Sequence, residues 1–112
     1  MSDLLRSTAP ELLWLVTDGG FTISESVVKP EEFGNVSLVL ESFSFKVRIY
    51  TDRGQRFVDV GRDCLSWHKL EYVLEFLEPS CSQTWFGEPP QLDKLSVVLK
   101  RNMQPISRLL AG

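Results

Sequence analysis

His68 is the only histidine in the chain, and it closely follows a cysteine in Asp63-Cys64-Leu65-Ser66-Trp67-His68. A thiol and an imidazole on one helix face could act as nucleophile and base. Cys64 and His68 would share such a face if a helix began early in this stretch. The reaction also needs a group that orients the imidazole and donors for an oxyanion, and no residue pattern marks either one. We therefore read no catalytic residue here and expect a non-enzymatic protein. One histidine and two separated cysteines, Cys64 and Cys81, do not make a zinc-ligand set, so no metal is expected. Gly19-Gly20 precedes a strand rather than following one, which argues against a phosphate loop and its cofactor. No carboxylate pair is marked by spacing for acid–base work.

The remaining chemistry is that of binding. Lys46, Arg48, Arg53 and Arg56 could receive an anion. Glu41, Asp52 and Asp59 lie among them in sequence, which favours a mixed-charge sheet surface. Lys46, Arg48 and Tyr50 alternate with Phe45, Val47 and Ile49, so they point to the outer face of one strand. Trp85 and Phe86 sit in PSCSQTWFGEPP, Pro79 to Pro90. An irregular stretch of that length is often functional, and it can also fold over a core edge; both readings stay open. Trp14 points away from the apolar side of its helix, either as a flanking contact to the sheet or as an interaction residue. Glu71, Glu75 and Glu78 line one flank of a later helix.

The elements that must hold these residues centre on Asn35 to Gly61. Val36, Leu38 and Leu40 alternate with Ser37, Val39 and Glu41, the signal of a half-buried strand. A tight turn is expected at Asp52-Arg53-Gly54, with glycine taking the left-handed conformation. The strand Gln55 to Val60 has two registers. One buries Phe57. The other buries Val58 and Val60, and sets Arg48 opposite Asp59 and Tyr50 opposite Phe57. We favour the second, because it pairs opposite charges and two aromatic rings. Phe21 to Ser26 reads as a short edge strand, and Val27 to Gly34 as a loop.

Helices are expected on either side. Ala9–Thr17 places Ala9, Leu12, Leu13 and Val16 on one face, with Thr8 and Glu11 in capping-box spacing. Ser2 to Ser7 reads as a separate helical turn. Ser66 can cap a helix over Trp67–Leu77. Leu92–Leu110 keeps helical spacing, with a break near Arg101-Asn102 caused by Pro105. The fold class is thus α+β: a four-stranded antiparallel meander, at about Phe21–Ser26, Val36–Glu41, Phe45–Thr51 and Gln55–Val60, with helices on its apolar face. The predicted core is Leu12, Leu13, Val16, Ile23, Leu38, Leu40, Phe45, Val47, Ile49, Trp67, Leu70, Leu74, Leu95, Leu99 and Ile106.

Length and charge agree with this reading. A chain of 112 residues suits one domain, spanning 1–112. Hydrophobic residues make up 43%, enough for a core in a domain of this size. A net charge of −3 disfavours a general binder of nucleic acid or of an anionic membrane, which needs a basic face. No stretch reaches the length of a membrane span, and the N-terminus lacks the pattern of a secretory signal, so a cytoplasmic protein with reduced cysteines is expected.

The leading helix, the apolar strand pair, the turn T-D-R-G-Q, the strand R-F-V-D-V and W-H-K-L on a helix resemble a pattern in small bacterial proteins. Some of these are grouped with immunity proteins of polymorphic toxin systems. The resemblance covers about Phe21 to Leu77 and rests on Asp52-Arg53-Gly54, Phe57, Asp59 and Trp67. It implies a protein that binds and blocks a cognate toxin without catalysis, and it supplies no catalytic residues. The working surface is then expected at Lys46, Arg48, Tyr50, Trp85 and Phe86. A secretion-chaperone-like or adaptor protein is the alternative, favoured by an apolar dimer face, so a homodimer stays open. A small-ligand binder or enzyme would instead show a deep pocket with convergent polar groups.

Overall fold

The computed structural model describes residues 3–32, 34–63, 65–80 and 91–111. Among the described residues, the alternating apolar residues build an antiparallel meander of five strands in the order β1-β2-β3-β4-β5. These are β1 (Thr22–Lys29), β2 (Asn35–Glu41), β3 (Lys46–Asp52), β4 (Gln55–Gly61) and β5 (His68–Lys69). The helices are α1 (Asp3–Thr8), α2 (Trp14–Thr17), α3 (Leu70–Leu77), α4 (Leu92–Arg101) and α5 (Met103–Ala111). The α+β meander is as expected, with one strand more than the sequence suggested.

The register follows the cross-strand pairs. Arg48 faces Asp59, Ile49 faces Val58 and Tyr50 faces Phe57, which is the favoured alternative. Arg53 and Gly54 connect β3 to β4 with φ of 53° and 84°. Positive φ at both central positions is the hairpin geometry whose twist matches that of the strands. Arg53 donates its backbone N–H to Asn35 Oδ1 at 3.0 Å, which ties this turn to the start of β2.

One face of the sheet is closed by the helices. Leu38, Leu40, Val47, Ile49 and Val60 are fully buried beneath Leu12, Leu70, Leu74, Leu95, Leu99 and Ile106. Phe21 and Phe45 meet edge to face at 5.3 Å, a favoured aromatic geometry. Leu13, Val16 and Ile23 are partly buried at the margin of this core. Leu5 and Leu15, absent from the predicted core, are fully buried in it.

Several boundaries differ from expectation. The helix over Ala9–Thr17 is broken into a 3-10 turn, Pro10–Leu12, and α2. Ala9 has φ −146° and ψ 70°, and no side chain caps the turn. The capping box is lost because Glu11 instead binds Arg56 of β4 through two hydrogen bonds of 2.8 Å. Burial alone would raise the Glu11 pKa; the Arg56 hydrogen bonds and charge, with a backbone hydrogen bond, outweigh it and hold the carboxyl below its ordinary value. β1 runs on to Lys29, so the expected loop begins later, with a 3-10 turn at Pro30–Glu32. The helix expected from Trp67 starts at Leu70, without a side-chain cap, and Ser66 does not cap it. His68 and Lys69 pair with Val60 and Asp59 of β4 instead. The break before Pro105 stands where expected: Asn102 separates α4 from α5, and its Nδ2 donates to Val98 O at 2.8 Å.

Among the described residues, no helix is long and apolar enough to cross a membrane.

Candidate functional site

The face opposite the helices carries the outward residues of β2, β3 and β4. Lys46, Arg48 and Tyr50 lie there, as the alternation requires. Arg48 is the centre of the arrangement. Its Nε and Nη2 both donate to Asp59 Oδ2, at 3.1 and 2.5 Å. The Arg48 side chain is 34% exposed and that of Asp59 only 5%. A carboxylate this buried needs its cation, so the pair is held in one geometry.

Two aromatic rings complete the cage. The Arg48 guanidinium carbon lies 5.2 Å from the Tyr50 ring centroid and 4.8 Å from that of Trp67. Both distances allow attraction between the cation and the ring face. Tyr50 stacks in turn on Phe57 at 5.1 Å, with 21° between the ring planes. Phe57, Tyr50, Arg48 and Trp67 thus form one row of planar groups.

Trp67 reaches this row because Gly61 has no side chain. A Cβ at Gly61 would collide with the Ser66 carbonyl and would lie 3.3 Å from the Trp67 ring. Trp67 was predicted as a core residue on α3. It lies before the helix, is half-buried, and belongs to the outer face. The buried glycine at the end of β4 was the available signal.

The electrostatics fix protonation. Burial, then the Asp59 charge, raise the Tyr50 pKa, and Arg48 and Lys69 oppose them only in part. Its hydroxyl is therefore neutral near pH 7 and acts as a hydrogen-bonding group. Burial also raises the Glu71 pKa, assisted by Asp59 and Glu75 and opposed by a backbone hydrogen bond and Lys69.

Two grooves border the row. One, of about 490 Å³, runs from Arg48 and Tyr50 across Ser37 to Val27 and Lys29. The other, of about 670 Å³, lies between β5, α3 and α5 and is lined by Trp67, Tyr72, Val73, Phe76, Leu109 and Leu110. Tyr72 and Phe76 are 60% and 71% exposed there. Trp67 touches Arg48 on one side and lines the apolar groove on the other.

The other expected residues separate. Lys46 pairs with Glu41 at 3.5 Å. Arg56 points to the helix side and binds Glu11, so the four cations do not form one anion site. Trp85 and Phe86 lie outside the described residues, as do Cys64 and Cys81. His68 is exposed on β5. Among the described residues, no group of three or more His, Cys, Asp or Glu side chains could hold a metal ion. Glu78 binds Arg101 and Asn102, and this removes it from the acidic flank as a free group. Trp14 is partly buried against the core, and its Nε1 donates to Ser96 Oγ of α4 at 2.7 Å. No known protein family, curated protein or solved structure matches the chain.

Proposed function

We propose that the chain is a non-enzymatic protein-binding module that neutralises a cognate toxin in the cytoplasm through the outer face of its sheet. The observation behind this reading is the Arg48 side chain held between Tyr50 and Trp67 by the buried Asp59. Arginine, tyrosine and tryptophan are the residue types that dominate interface energy. Side chains already fixed in position lose little further freedom on binding. The adaptor or secretion-chaperone reading draws on a different observation, the exposed apolar groove at Tyr72 and Phe76.

The test is calorimetric titration of the protein with the product of the adjacent reading frame, together with rescue of cells from that product. The wild type should bind and rescue. Tyr50→Ala should keep its fold and lose about 2 kcal/mol of affinity, roughly thirtyfold. Unchanged affinity in the variant would remove the outer face as the site. Failure of the wild type to bind or rescue would remove the toxin-neutralising reading.

A further inference from the structure

Strand β1 forms one margin of the sheet, and among the described residues its only strand neighbour is β2. Alternate backbone groups along its other side therefore face away from the sheet. The strand is long for an edge, at eight residues, and every position except Ile23 is exposed. Val27 and Val28, successive β-branched residues, are 37% and 49% exposed. A long exposed edge with such residues is a template for another strand. A register shift between Ile23 and Glu25 bends the strand at its start. Pro30 begins a 3-10 turn and ends it. The straight part is Glu25-Ser26-Val27-Val28-Lys29.

This segment carries opposite charges at its two ends, with a valine midway. Glu25, Val27 and Lys29 share the outer face, and Ser26 and Val28 the other. Antiparallel pairing of the segment with a second copy has few registers that align the backbone groups. A two-fold axis at Glu25 would oppose two glutamates, and one at Lys29 two lysines. Axes at Ser26 or Val28 would place a charge opposite Val27. An axis at Val27 sets Glu25 of one protomer opposite Lys29 of its partner at both ends, with Val27 against Val27 between them. Opposite charges across strands stabilise and like charges oppose pairing, so the charge order selects this register.

We propose that β1 is the interface of a homodimer, paired antiparallel about a two-fold axis at Val27, so that one sheet runs through both copies. Tyr50 and Trp67 lie outside the paired segment, although Val27 and Lys29 line the groove beside Tyr50. Dimerisation is read on the protein alone, so its failure is distinguishable from a failure of toxin binding. It is a small interface and forms a weak, concentration-dependent dimer.

Sedimentation equilibrium of the full chain tests this from about 10 µM to about 1 mM, the range suited to weak contacts. The average mass should climb from 12.8 kDa toward twice that value. Glu25→Lys alone, or Lys29→Glu alone, sets like charges opposite each other at both ends. Each should weaken dimerisation about tenfold or more, and the double exchange should restore it. Circular dichroism checks that each variant is folded. In a background lacking Cys64 and Cys81, Val27→Cys should oxidise to a covalent dimer, because directly opposed strand positions lie within disulfide reach. A wild type that stays monomeric throughout overturns the proposal and leaves the edge to some other strand. So does a dimer that ignores the single charge reversals, or one that the double exchange does not restore.

Discussion

Arg48 is held by two kinds of force at once: charge-assisted hydrogen bonds to Asp59, and contacts with the faces of Tyr50 and Trp67. Their weights differ. A partly exposed cation over a ring is worth about 0.5–1 kcal/mol. Leaving a buried carboxylate without its cation costs about 3–5 kcal/mol. Arg48 is one-third exposed, so water would relieve part of that penalty. Arg48→Met should therefore destabilise by about 2–4 kcal/mol in urea unfolding. A loss near zero would show that Asp59 finds other partners. Glu71 gives a prediction with the opposite sign. Its folded pKa lies above its ordinary 4.5, first from burial and then from Asp59 and Glu75. A raised pKa gives stability that is present below the unfolded value and is lost as pH rises through the folded one. Glu71→Gln removes that loss. The variant should be more stable than wild type near pH 7, and the gap should close below about pH 4.5. Thermal melts across that range check it; a gap that is constant with pH would contradict the assignment.

At the scale of elements, the β3–β4 hairpin was legible because the alternation and the pairing chemistry agreed. Burying Val58 and Val60 also opposes Arg48 to Asp59 and Tyr50 to Phe57, so one register satisfies both requirements. The start of α4 at Leu92 was legible, but those of the N-terminal helix and of α3 were not. Ala9 to Leu12 has good local helix chemistry, yet the chain breaks there, because Arg56 takes both Glu11 and the Thr8 carbonyl. That contact links residues far apart in sequence, and no local pattern reports it. Trp67 was misplaced for a related reason. Its spacing to Leu70 and Leu74 fits a helical stripe, but pairing of His68 and Lys69 with β4 holds the chain extended until Leu70. Of the candidate site, Lys46, Arg48 and Tyr50 were therefore readable and Trp67 was not. Gly61 is the element-level control of that placement. Gly61→Ala would press against the Ser66 carbonyl and the Trp67 ring, forcing a backbone shift that costs about 1–3 kcal/mol. It should also change the tryptophan fluorescence. Unchanged emission and an unchanged melting midpoint would mean that this segment moves aside freely.

At the scale of the whole molecule, the sheet's inner face is closed by helices from both ends of the chain. α1 contributes the fully buried Leu5, and α5 contributes Ile106. A polar link joins the two ends. Trp14 Nε1 donates to Ser96 Oγ at 2.7 Å, and that hydroxyl donates to the Glu11 carbonyl at 2.8 Å. Ser96 is buried, so water can replace these partners only in part. Lys100 Nζ lies over the Trp14 ring, 5.3 Å from its centroid. The same short segment also receives Arg56 from β4, so the N-terminal turn is tied to the sheet and to α4 together. Ser96→Ala removes the hydroxyl and leaves an indole N–H and a carbonyl without their partner. The expected cost is about 1–3 kcal/mol. If the ends of the chain and the sheet unfold as one unit, the loss should appear as one shifted denaturant transition with an unchanged slope. Amide exchange should then quicken by a similar factor in α4 and in the core strands β2 and β3. If the N-terminal segment opens by itself, exchange should quicken only around Leu12 to Val16, with the core strands unaffected. That second outcome would show that the helices of the first seventeen residues close the core without being cooperative with it.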